Sequence, residues 1–328
     1  MPQAPPNQPP RSEQKAPASK PPSRMTLGGV SRGPVEQPQR VLIYGTEGIG
    51  KSTFAANAPA PIFLCSEDGT ASLNVARFPE PRTWPEAFEA IRELGTTQHE
   101  YKTLAIDSVD WLEPLIWRYL LDRDYPGDDS ATIEKYGYGK GYTAALDEWR
   151  KFLAALDRLR KAKGMWIVLV GHSHVKTWKN PAGQDFDRYQ LKINDKAAGL
   201  LKEWSDAVLF AHYETFTTED ERTKRVRGVT GARVIETTRT AAWDAKNRDS
   251  LPEQLPLSWE DFAVALKAKR PADPAKIREE IAGICEAINT PEATAKIKAK
   301  VESLGNDAVA LAIYKDLLAA KLAQKGSN

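Results

Sequence analysis

The sequence predicts an α/β fold in which a mainly parallel sheet is flanked by helices. Short apolar runs of four to six residues, rich in Val, Ile, Leu or Phe, alternate with longer segments of helical pattern. Such runs are typical of strands buried on both faces, and their alternation with helices is typical of a doubly wound sheet. After Phe210 the pattern changes to β-branched residues around charged turns, which predicts antiparallel hairpins at the sheet edge.

The core elements follow in order along the chain. Strands are predicted at 41–44, 61–65, 103–107, 166–171 and 206–210. Helices are predicted at 84–94, 109–121 and 142–163, the last because its large apolar residues recur at spacings of three and four. Ser258, with Asp261 three residues later, has the pattern of a helix N-cap.

Three segments are predicted from composition. Residues 1–38 contain ten of the 23 prolines and almost no large apolar residue, so we expect a disordered Pro-rich arm. Residues 39–269 hold the alternating strands and helices and form the predicted core. Pro271 and Pro274 then interrupt the chain, and the Ala- and Lys-rich remainder, 270–328, is predicted to be a small helical domain.

The overall composition narrows the class of protein. The formal net charge is only +2, so any site for nucleic acid must be a local patch. The two cysteines, Cys65 and Cys285, lie far apart in sequence and favour buried thiols in a reducing compartment. No apolar run approaches the roughly 18 residues of a membrane span, so we expect no membrane partner and a cytoplasmic location.

The stretch "GTEGIGKST" predicts a phosphate-binding loop. It fits the pattern G-x-x-x-x-G-K-[ST] at Gly45, Gly50, Lys51 and Ser52, and it lies between a predicted strand and a helix. Its glycines allow backbone N–H groups to surround phosphate oxygens, Lys51 reaches the outer phosphates, and Ser52 can bind Mg²⁺. The predicted ATP-binding residues are Gly45, Thr46, Glu47, Gly48, Ile49, Gly50, Lys51, Ser52 and Thr53.

Two carboxylates follow strands that end at the same predicted edge of the sheet. Asp107 in "KTLAIDS" ends an apolar strand, which is the Walker B pattern and predicts a Mg²⁺ partner for Ser52. The alternative is that Asp107 caps the next helix. Glu67 in "PIFLCSEDGT" follows the second strand and can face the same crevice, where hydrolysis requires a group that orients or deprotonates water.

The order of these motifs resembles the RecA/Rad51 ATPase core. Within that group the chain most resembles phage-encoded ATPases that act as single-strand annealing recombination proteins, through "YGYGKGY" at 136–142, "VLVGHSH" at 168–174 and "AKNRDSLPEQ" at 245–254. The resemblance covers roughly residues 40–266. It implies a RecA-like P-loop fold, ATP and Mg²⁺ as cofactors, and assembly into a ring or filament.

The resemblance also implies roles for individual residues. Glu67 corresponds to the base that activates water, and His172 corresponds to a polar sensor at the end of the fourth strand, where related proteins usually have glutamine. A structural, hydrogen-bonded histidine is the alternative. Lys246 and Arg248 resemble a Lys-x-Arg pair that related proteins present to the ATP of a neighbouring subunit; a solvated surface pair is the alternative.

Two segments are predicted to bind single-stranded DNA, because the resemblance implies that loops after the third and fourth strands line it. Both interleave cations with aromatic rings, as sequence-tolerant binding requires. Loops whose aromatic residues pack against the core are the alternative. The predicted contacts are Lys135, Tyr138, Lys140, Lys176, Trp178, Lys179, Arg188 and Lys192.

These observations predict a DNA-stimulated ATPase of phage recombination or strand annealing, acting in a bacterial host. Its expected partners are single-stranded DNA, further copies of the chain and a single-strand-binding protein. A ring-forming helicase-like motor, a small-molecule kinase and a non-hydrolysing nucleotide-binding module remain alternatives. The sequence leaves open the oligomer number, the DNA transaction and whether hydrolysis is required.

Overall fold

The computed structural model describes residues 25–27, 30, 37–67, 69–181, 183–219, 226–249, 251–269, 274–288 and 290–305, with 311, 314, 315, 318, 319 and 322. Residues 37–328 form one compact unit, and residues 1–36 are assigned to a separate one. The predicted Pro-rich arm at 1–38 lies almost wholly outside the described residues, and the predicted boundary at 270 stays a prediction.

The described part of the chain contains a sheet of ten strands. The order across the sheet is β10-β8-β7-β1-β5-β4-β2-β3, with β6 paired to β5 and β9 paired to β7. The strands are β1 Arg40–Gly45, β2 Pro61–Cys65, β3 Ala76–Arg77, β4 Thr103–Asp107, β5 Trp166–Trp178, β6 Phe186–Leu191, β7 Ala207–Glu219, β8 Val226–Glu236, β9 Lys246–Asn247 and β10 Gln254–Pro256.

The central strands are parallel, as predicted. β1 pairs in parallel with β5 and β7, and β4 pairs in parallel with β5 and β2. In this register Gly45 lies opposite His172, and Asp107 lies opposite Cys65. The carboxyl ends of β1, β2, β4 and the first part of β5 therefore meet at one edge of the sheet, where ligands of such sheets bind.

Helices cover both faces of the sheet, and the mixed, mainly parallel α/β architecture confirms the predicted fold class. Alternate residues of β1 divide between two cores: Leu42 packs with α2, α3 and α4, whereas Val41 packs with α1 and α6. The helices are α1 Lys51–Ala56, α2 Trp84–Thr96, α3 Val109–Asp124, α4 Lys140–Lys163, α5 Asp195–Trp204, α6 Trp259–Lys269, α7 Pro274–Ile288 and α8 Pro291–Ser303.

The hairpin predicted after Phe210 is present, because β7 and β8 pair antiparallel. The segment after His172 differs from the prediction of a loop. β5 continues to Trp178 and pairs antiparallel with β6, so residues 173–191 form a β-hairpin, here called the β5–β6 hairpin. At the C-terminus, α7 and α8 share a small apolar cluster that includes Ile277, Ile281 and Ile297.

Candidate nucleotide site

The loop between β1 and α1 has the geometry of a phosphate cradle. Gly48 and Gly50 have φ angles of 70° and 113°, in the left-handed region that side chains with a Cβ disfavour. Gly45 lies against the backbone of β7, since a Cβ built on it would be 2.0 Å from the carbonyl oxygen of Ala211. These glycines are therefore required by backbone conformation at two positions and by close packing at the third.

Lys51 is drawn into this loop. Its side chain is buried, and its ammonium group donates hydrogen bonds to the carbonyl oxygens of Gly45, at 3.2 Å, and Thr46, at 2.8 Å. Burial lowers the pKa of Lys51, and the nearby carboxylates of Asp107, Asp110 and Glu67 partly oppose that effect. The ammonium group thus lies among the loop carbonyls, where a phosphate oxygen can replace a carbonyl as its acceptor.

Asp107 and Ser52 fit a magnesium ion. Asp107 is 2% exposed at the end of β4, and its carboxyl group is hydrogen-bonded by Ser52. Its other oxygen, Oδ2, is buried and finds no hydrogen-bond partner among the described residues. Burial raises the pKa of Asp107. A buried carboxylate oxygen without a hydrogen-bond donor, beside a hydroxyl group, suits a Mg²⁺ ion, because the other ligands of such ions are usually water and phosphate oxygens.

No group of three or more His, Cys, Asp or Glu side chains in the described part of the chain is arranged to hold a metal ion by itself. This finding agrees with a magnesium site of one carboxylate and one hydroxyl group, since Mg²⁺ keeps several waters and is usually shared with substrate phosphates. Asp107 and Ser52 are the residues that would hold it.

Glu67, His172 and Asp110 form a chain of acid and base groups beside Lys51. His172 Nδ1 lies 2.8 Å from Asp110 Oδ2, and His172 Nε2 lies 3.9 Å from Glu67 Oε1. The hydrogen bond with Asp110 raises the pKa of His172. Burial raises the pKa of Glu67, whereas for Asp110 the hydrogen bonds from His172 outweigh burial and lower the pKa. His172 is thus held closer to its charged form than an exposed histidine.

These groups line one cleft of about 710 Å³, within the usual size of small-molecule sites. The lining residues that the sequence predicted for the nucleotide are Glu47, Gly48, Gly50, Lys51, Ser52, Thr53, Glu67, Asp107 and His172. Three predicted loop residues lie outside this lining. Of these, Gly45 and Ile49 are fully buried, and Thr46 contributes the carbonyl group that binds Lys51.

The structure adds cleft residues that the sequence analysis missed. Asp110, Trp111 and Pro114 come from the start of α3, immediately after the Walker B strand. The spacing of Asp110, three residues after Asp107, places it one helical turn beyond the strand end and was the available signal. Arg233 of β8 approaches the loop from the opposite side, since a Cβ on Gly50 would lie 3.6 Å from its Nη1.

Of the residues that were predicted to contact DNA in this region, some are exposed on the β5–β6 hairpin and one lies in the nucleotide cleft. Lys176, Trp178 and Lys179 are exposed near its tip, but Lys176 pairs with Asp195 at 2.5 Å and Lys179 pairs with Asp185 at 2.6 Å. Lys192, also predicted to contact DNA, instead lines the nucleotide cleft, with its ammonium group 3.9 Å from Glu47. The hairpin therefore carries exposed cations and an exposed ring, with carboxylates between them.

Arg188, which the sequence predicted as a DNA contact, is buried in this structure. Its side chain is 2% exposed and forms an ion pair of 2.5 Å with Asp244. The guanidinium group also donates to the carbonyl oxygens of Thr240 and Trp243, and its carbon lies 5.2 Å from the centre of the Trp178 ring. A group enclosed by these acceptors has a structural role, because a phosphate backbone cannot reach it.

The second predicted DNA segment surrounds Tyr138. Tyr138 is fully exposed, has a φ of 49°, and lies between Gly137 and Gly139, which both have a φ of 68°. Lys135 forms an ion pair with Asp128 and lies 4.6 Å from the centre of the Tyr125 ring. Lys140 is exposed at the first position of α4. Tyr138 is thus presented to solvent, while Lys135 is engaged within its own loop.

Lys246 and Arg248 lie away from the cleft. Lys246 lies in β9 and Arg248 follows it, at the amino end of β7, since Lys246 pairs with Val208, whereas the cleft is at the carboxyl ends of the strands. The ammonium group of Lys246 donates to the carbonyl oxygens of Lys202, Glu203 and Ser205 at the end of α5, and Arg248 lies 3.4 Å from Asp206. In this structure the ammonium group of Lys246 therefore caps a helix of its own chain, and its role toward a neighbour's ATP stays a prediction.

The remaining findings concern the family of the chain and its similarity to known proteins. No helix in the described ranges is both long and apolar enough to cross a bilayer. No curated protein matches the chain. Among solved structures, the chain is similar to the crystal structure of the RadB recombinase, with 13% identity over 60% of this chain and 87% of that chain and a TM-score of 0.34. A family model described as an AAA domain (AAA_24) matches residues 37–249, well over half of the chain, and the chain therefore belongs to this AAA domain family.

Proposed function

We propose that the chain is an ATP- and Mg²⁺-dependent ATPase that binds single-stranded DNA and acts in recombination or strand annealing, as phage-encoded RecA-like proteins of the annealing type do. The observation that carries the ATPase proposal is one cleft in which Lys51, Ser52, Asp107 and Glu67 converge. A triphosphate is the ligand that needs a glycine-rich amide cradle, an ammonium group and a magnesium pair together.

Each group has a chemical role in this proposal. The amides around Gly48 and Gly50 and the ammonium group of Lys51 bind the phosphates. Ser52 and Asp107 would hold a magnesium ion, which would supply further positive charge against them. Glu67 accepts a proton from the attacking water. Its raised pKa places it nearer to the working pH than an exposed glutamate, which suits a general base.

The DNA part of the proposal is supported by the path of β5. His172 lies in the cleft, and the same strand continues for six residues to Trp178 in the exposed part of the hairpin. A change at His172 on binding or hydrolysis of ATP is therefore transmitted along a continuous strand to Lys176, Trp178 and Lys179. Exposed cations with an exposed ring suit sequence-tolerant contact with single-stranded DNA.

Assembly into a ring or filament and a single-strand-binding protein as a partner belong to the same proposal. The resemblance of the motifs to RecA/Rad51 proteins supports them. The cleft is open on the side of Trp111, which is 53% exposed. A second copy of the chain or bound DNA would close that side.

The test is the ATPase rate with and without single-stranded DNA across a salt series. We expect stimulation by DNA that decreases with salt, because bound phosphates release counterions. Lys51→Ala should lose ATP binding, and Glu67→Gln should retain ATP but hydrolyse it roughly 100-fold more slowly.

Other outcomes would favour the alternatives. Turnover that needs neither DNA nor low salt, with phosphate passed to an added acceptor, would favour a kinase. ATP binding without phosphate release, unaffected by Glu67→Gln, would favour a non-hydrolysing module. Directional unwinding of duplex DNA would favour a helicase-like motor. Identical ATP retention by the wild type and Lys51→Ala would contradict the site itself.

A further inference from the structure

Asp110 makes two hydrogen bonds to one residue. The backbone N–H of His172 donates to Asp110 Oδ1 at 3.0 Å, and the ring Nδ1 of His172 lies 2.8 Å from Asp110 Oδ2. The Asp110 side chain is 7% exposed and the His172 side chain 14% exposed, so water competes little for either bond. The two bonds fix both the end of the buried part of β5 and the plane of the imidazole ring.

The orientation of the ring follows from this clamp. With Nδ1 bound to Asp110, the opposite nitrogen, Nε2, points toward Glu67 Oε1 at 3.9 Å. The charged groups that act on His172 are Asp110 from α3, Glu67 after β2, Lys51 from α1 and Asp107 from β4. Among these groups, in the described part of the chain, Asp110 makes the direct hydrogen bond to the imidazole ring. It therefore determines that Nδ1 is the ring nitrogen that carries a proton in the neutral form.

We propose that Asp110 is a positioning residue for ATP hydrolysis: it holds His172 with Nδ1–H bound to its carboxylate and Nε2 directed at Glu67, the base. This inference rests on the proposed ATPase function. In the charged form, His172 Nε2–H donates toward the Glu67 carboxylate and orients it. In the neutral form, Nε2 has no proton, and the orienting contact is lost.

The carboxylate chemistry makes the clamp specific. Two N–H donors of His172 meet two acceptor oxygens of Asp110. Asparagine has one acceptor oxygen and one NH₂ group, so Asp110→Asn can satisfy either the backbone N–H or the ring Nδ1–H, but not both. Glutamate keeps two oxygens on a longer stem, which makes Asp110→Glu the conservative control.

The ring itself reports on the clamp without any catalysis. The chain has four histidines, so the ¹⁵N and ¹H signals of the His172 ring are assigned by their loss in His172→Gln. In the wild type we expect an Nδ1–H signal and a pKa for His172 above the ordinary value. In Asp110→Asn we expect this pKa to fall toward or below the ordinary value and the tautomer to change. An unchanged tautomer and pKa would overturn the inference, whether or not the protein hydrolyses ATP.

Kinetics then separate positioning from general stability. We expect Asp110→Asn to lower kcat roughly 10-fold, to change KM for ATP less than about 2-fold and to shift the basic limb of the kcat–pH profile to lower pH. Asp110→Glu should recover part of kcat. In the His172→Gln background, Asp110→Asn should change kcat less than about 2-fold, because the residue it positions is absent.

Equal effects of Asp110→Asn in both backgrounds would show that Asp110 acts elsewhere and would overturn the inference. A wild-type protein without ATPase activity would remove the proposed function, while the ring signals would still decide whether Asp110 fixes His172. Circular dichroism of each variant checks that it folds. If Asp110→Asn does not fold, the ring signals and kinetics of Asp110→Glu and His172→Gln are compared with those of the wild type instead.

Discussion

Replacement of Arg188 by alanine distinguishes a structural cation from a DNA contact. The guanidinium group donates to the carbonyl oxygens of Thr240 and Trp243, at 3.2 and 2.9 Å, and to Asp244 Oδ1 at 2.5 Å. Breaking one partner of a buried ion pair costs about 3–5 kcal/mol. Asp244 keeps Lys202 at 2.6 Å, which places the expected loss at the lower end, about 3 kcal/mol.

This loss is measurable by urea and thermal unfolding. For a chain of this size, each kcal/mol lowers the Tm by about 2 °C, so Arg188→Ala should lower it by about 6 °C. Binding of a labelled oligothymidine, followed by fluorescence anisotropy across a salt series, should keep the salt slope of the wild type. That slope counts phosphate contacts, and a buried guanidinium group contributes none to it.

Lys179→Ala is the matched control on the same hairpin. Its side chain is 88% exposed, and its ion pair with Asp185 is a surface pair, so the unfolding free energy should change by less than about 1 kcal/mol. If the hairpin binds DNA, this variant should reduce the salt slope by about 0.7. The reverse pattern, an unchanged Tm with weaker DNA binding for Arg188→Ala, would refute the structural role of Arg188.

Three further experiments test other parts of the structure. Burial raises the pKa of Glu113 to about 7, so the folded protein keeps a proton that the unfolded chain releases above about pH 4.5. The free energy of unfolding should therefore fall by up to about 3 kcal/mol as the pH rises from about 4.5 to 7. Urea unfolding at pH 5 and pH 8 should show a smaller fall for Glu113→Gln than for the wild type. Lys192→Ala should lower kcat roughly 10-fold in steady-state kinetics, with little change in Tm, because Lys192 lines the cleft. Lys246→Ala should instead lower the free energy of unfolding in urea by about 2 kcal/mol, because it removes the hydrogen bonds at the end of α5. Gly45→Ala places a Cβ 2.0 Å from a backbone oxygen and should cost about 1–3 kcal/mol or more, whereas Gly199→Ala, which meets no atom within 4 Å on α5, should be neutral or stabilising in the same unfolding assay.

The parallel core was predictable because its signals are local. Each central strand is an apolar run with its own flanking polar residues, and the P-loop pattern needs only the eight consecutive residues from Gly45 to Ser52. Asp107 and Glu67 followed from the rule that the carboxyl ends of parallel strands meet at one edge. These inferences require no knowledge of distant contacts.

The β5–β6 hairpin was missed although its pattern is visible. Val175 and Thr177 alternate with Lys176 and Trp178, and the segment "NPAGQD" between the strands is rich in turn residues. The presence of cations and aromatic rings was interpreted as a DNA loop instead. A two-stranded ribbon explains the same residues, since consecutive side chains from Val175 to Lys179 are exposed in this part of the hairpin.

The burial of Arg188 was beyond what local sequence could show. Its acceptors lie 52 to 56 residues later in the chain, at Thr240, Trp243 and Asp244. The role of Asp110 depends in the same way on a strand 62 residues away. A cation or carboxylate in a polar stretch carries no local signal of the partner that will enclose it, so the sequence predicts its type of chemistry but not its position.

Arg188 and Lys246 bind neighbouring parts of the same segment of the chain. Arg188 binds the backbone and side chain of residues 240–244, and Lys246 ties the following residues to the end of α5. The hydroxyl group of Tyr44 adds hydrogen bonds to the backbone of Asp244. These contacts anchor residues 240–247 to the core strands.

The cleft contains cations of its own that can stabilise negative charge on a phosphate. In the described part of the chain, Lys51 and Lys192 are the cations that line the cleft, and Arg233 lies beside the loop at Gly50. Lys192 is joined to the sensor strand, because its backbone N–H donates to the carbonyl oxygen of His172 at 2.9 Å. Movement of the hairpin on DNA would therefore move Lys192 relative to the phosphates. Under the proposed function, DNA bound at the hairpin would therefore act on hydrolysis within one chain.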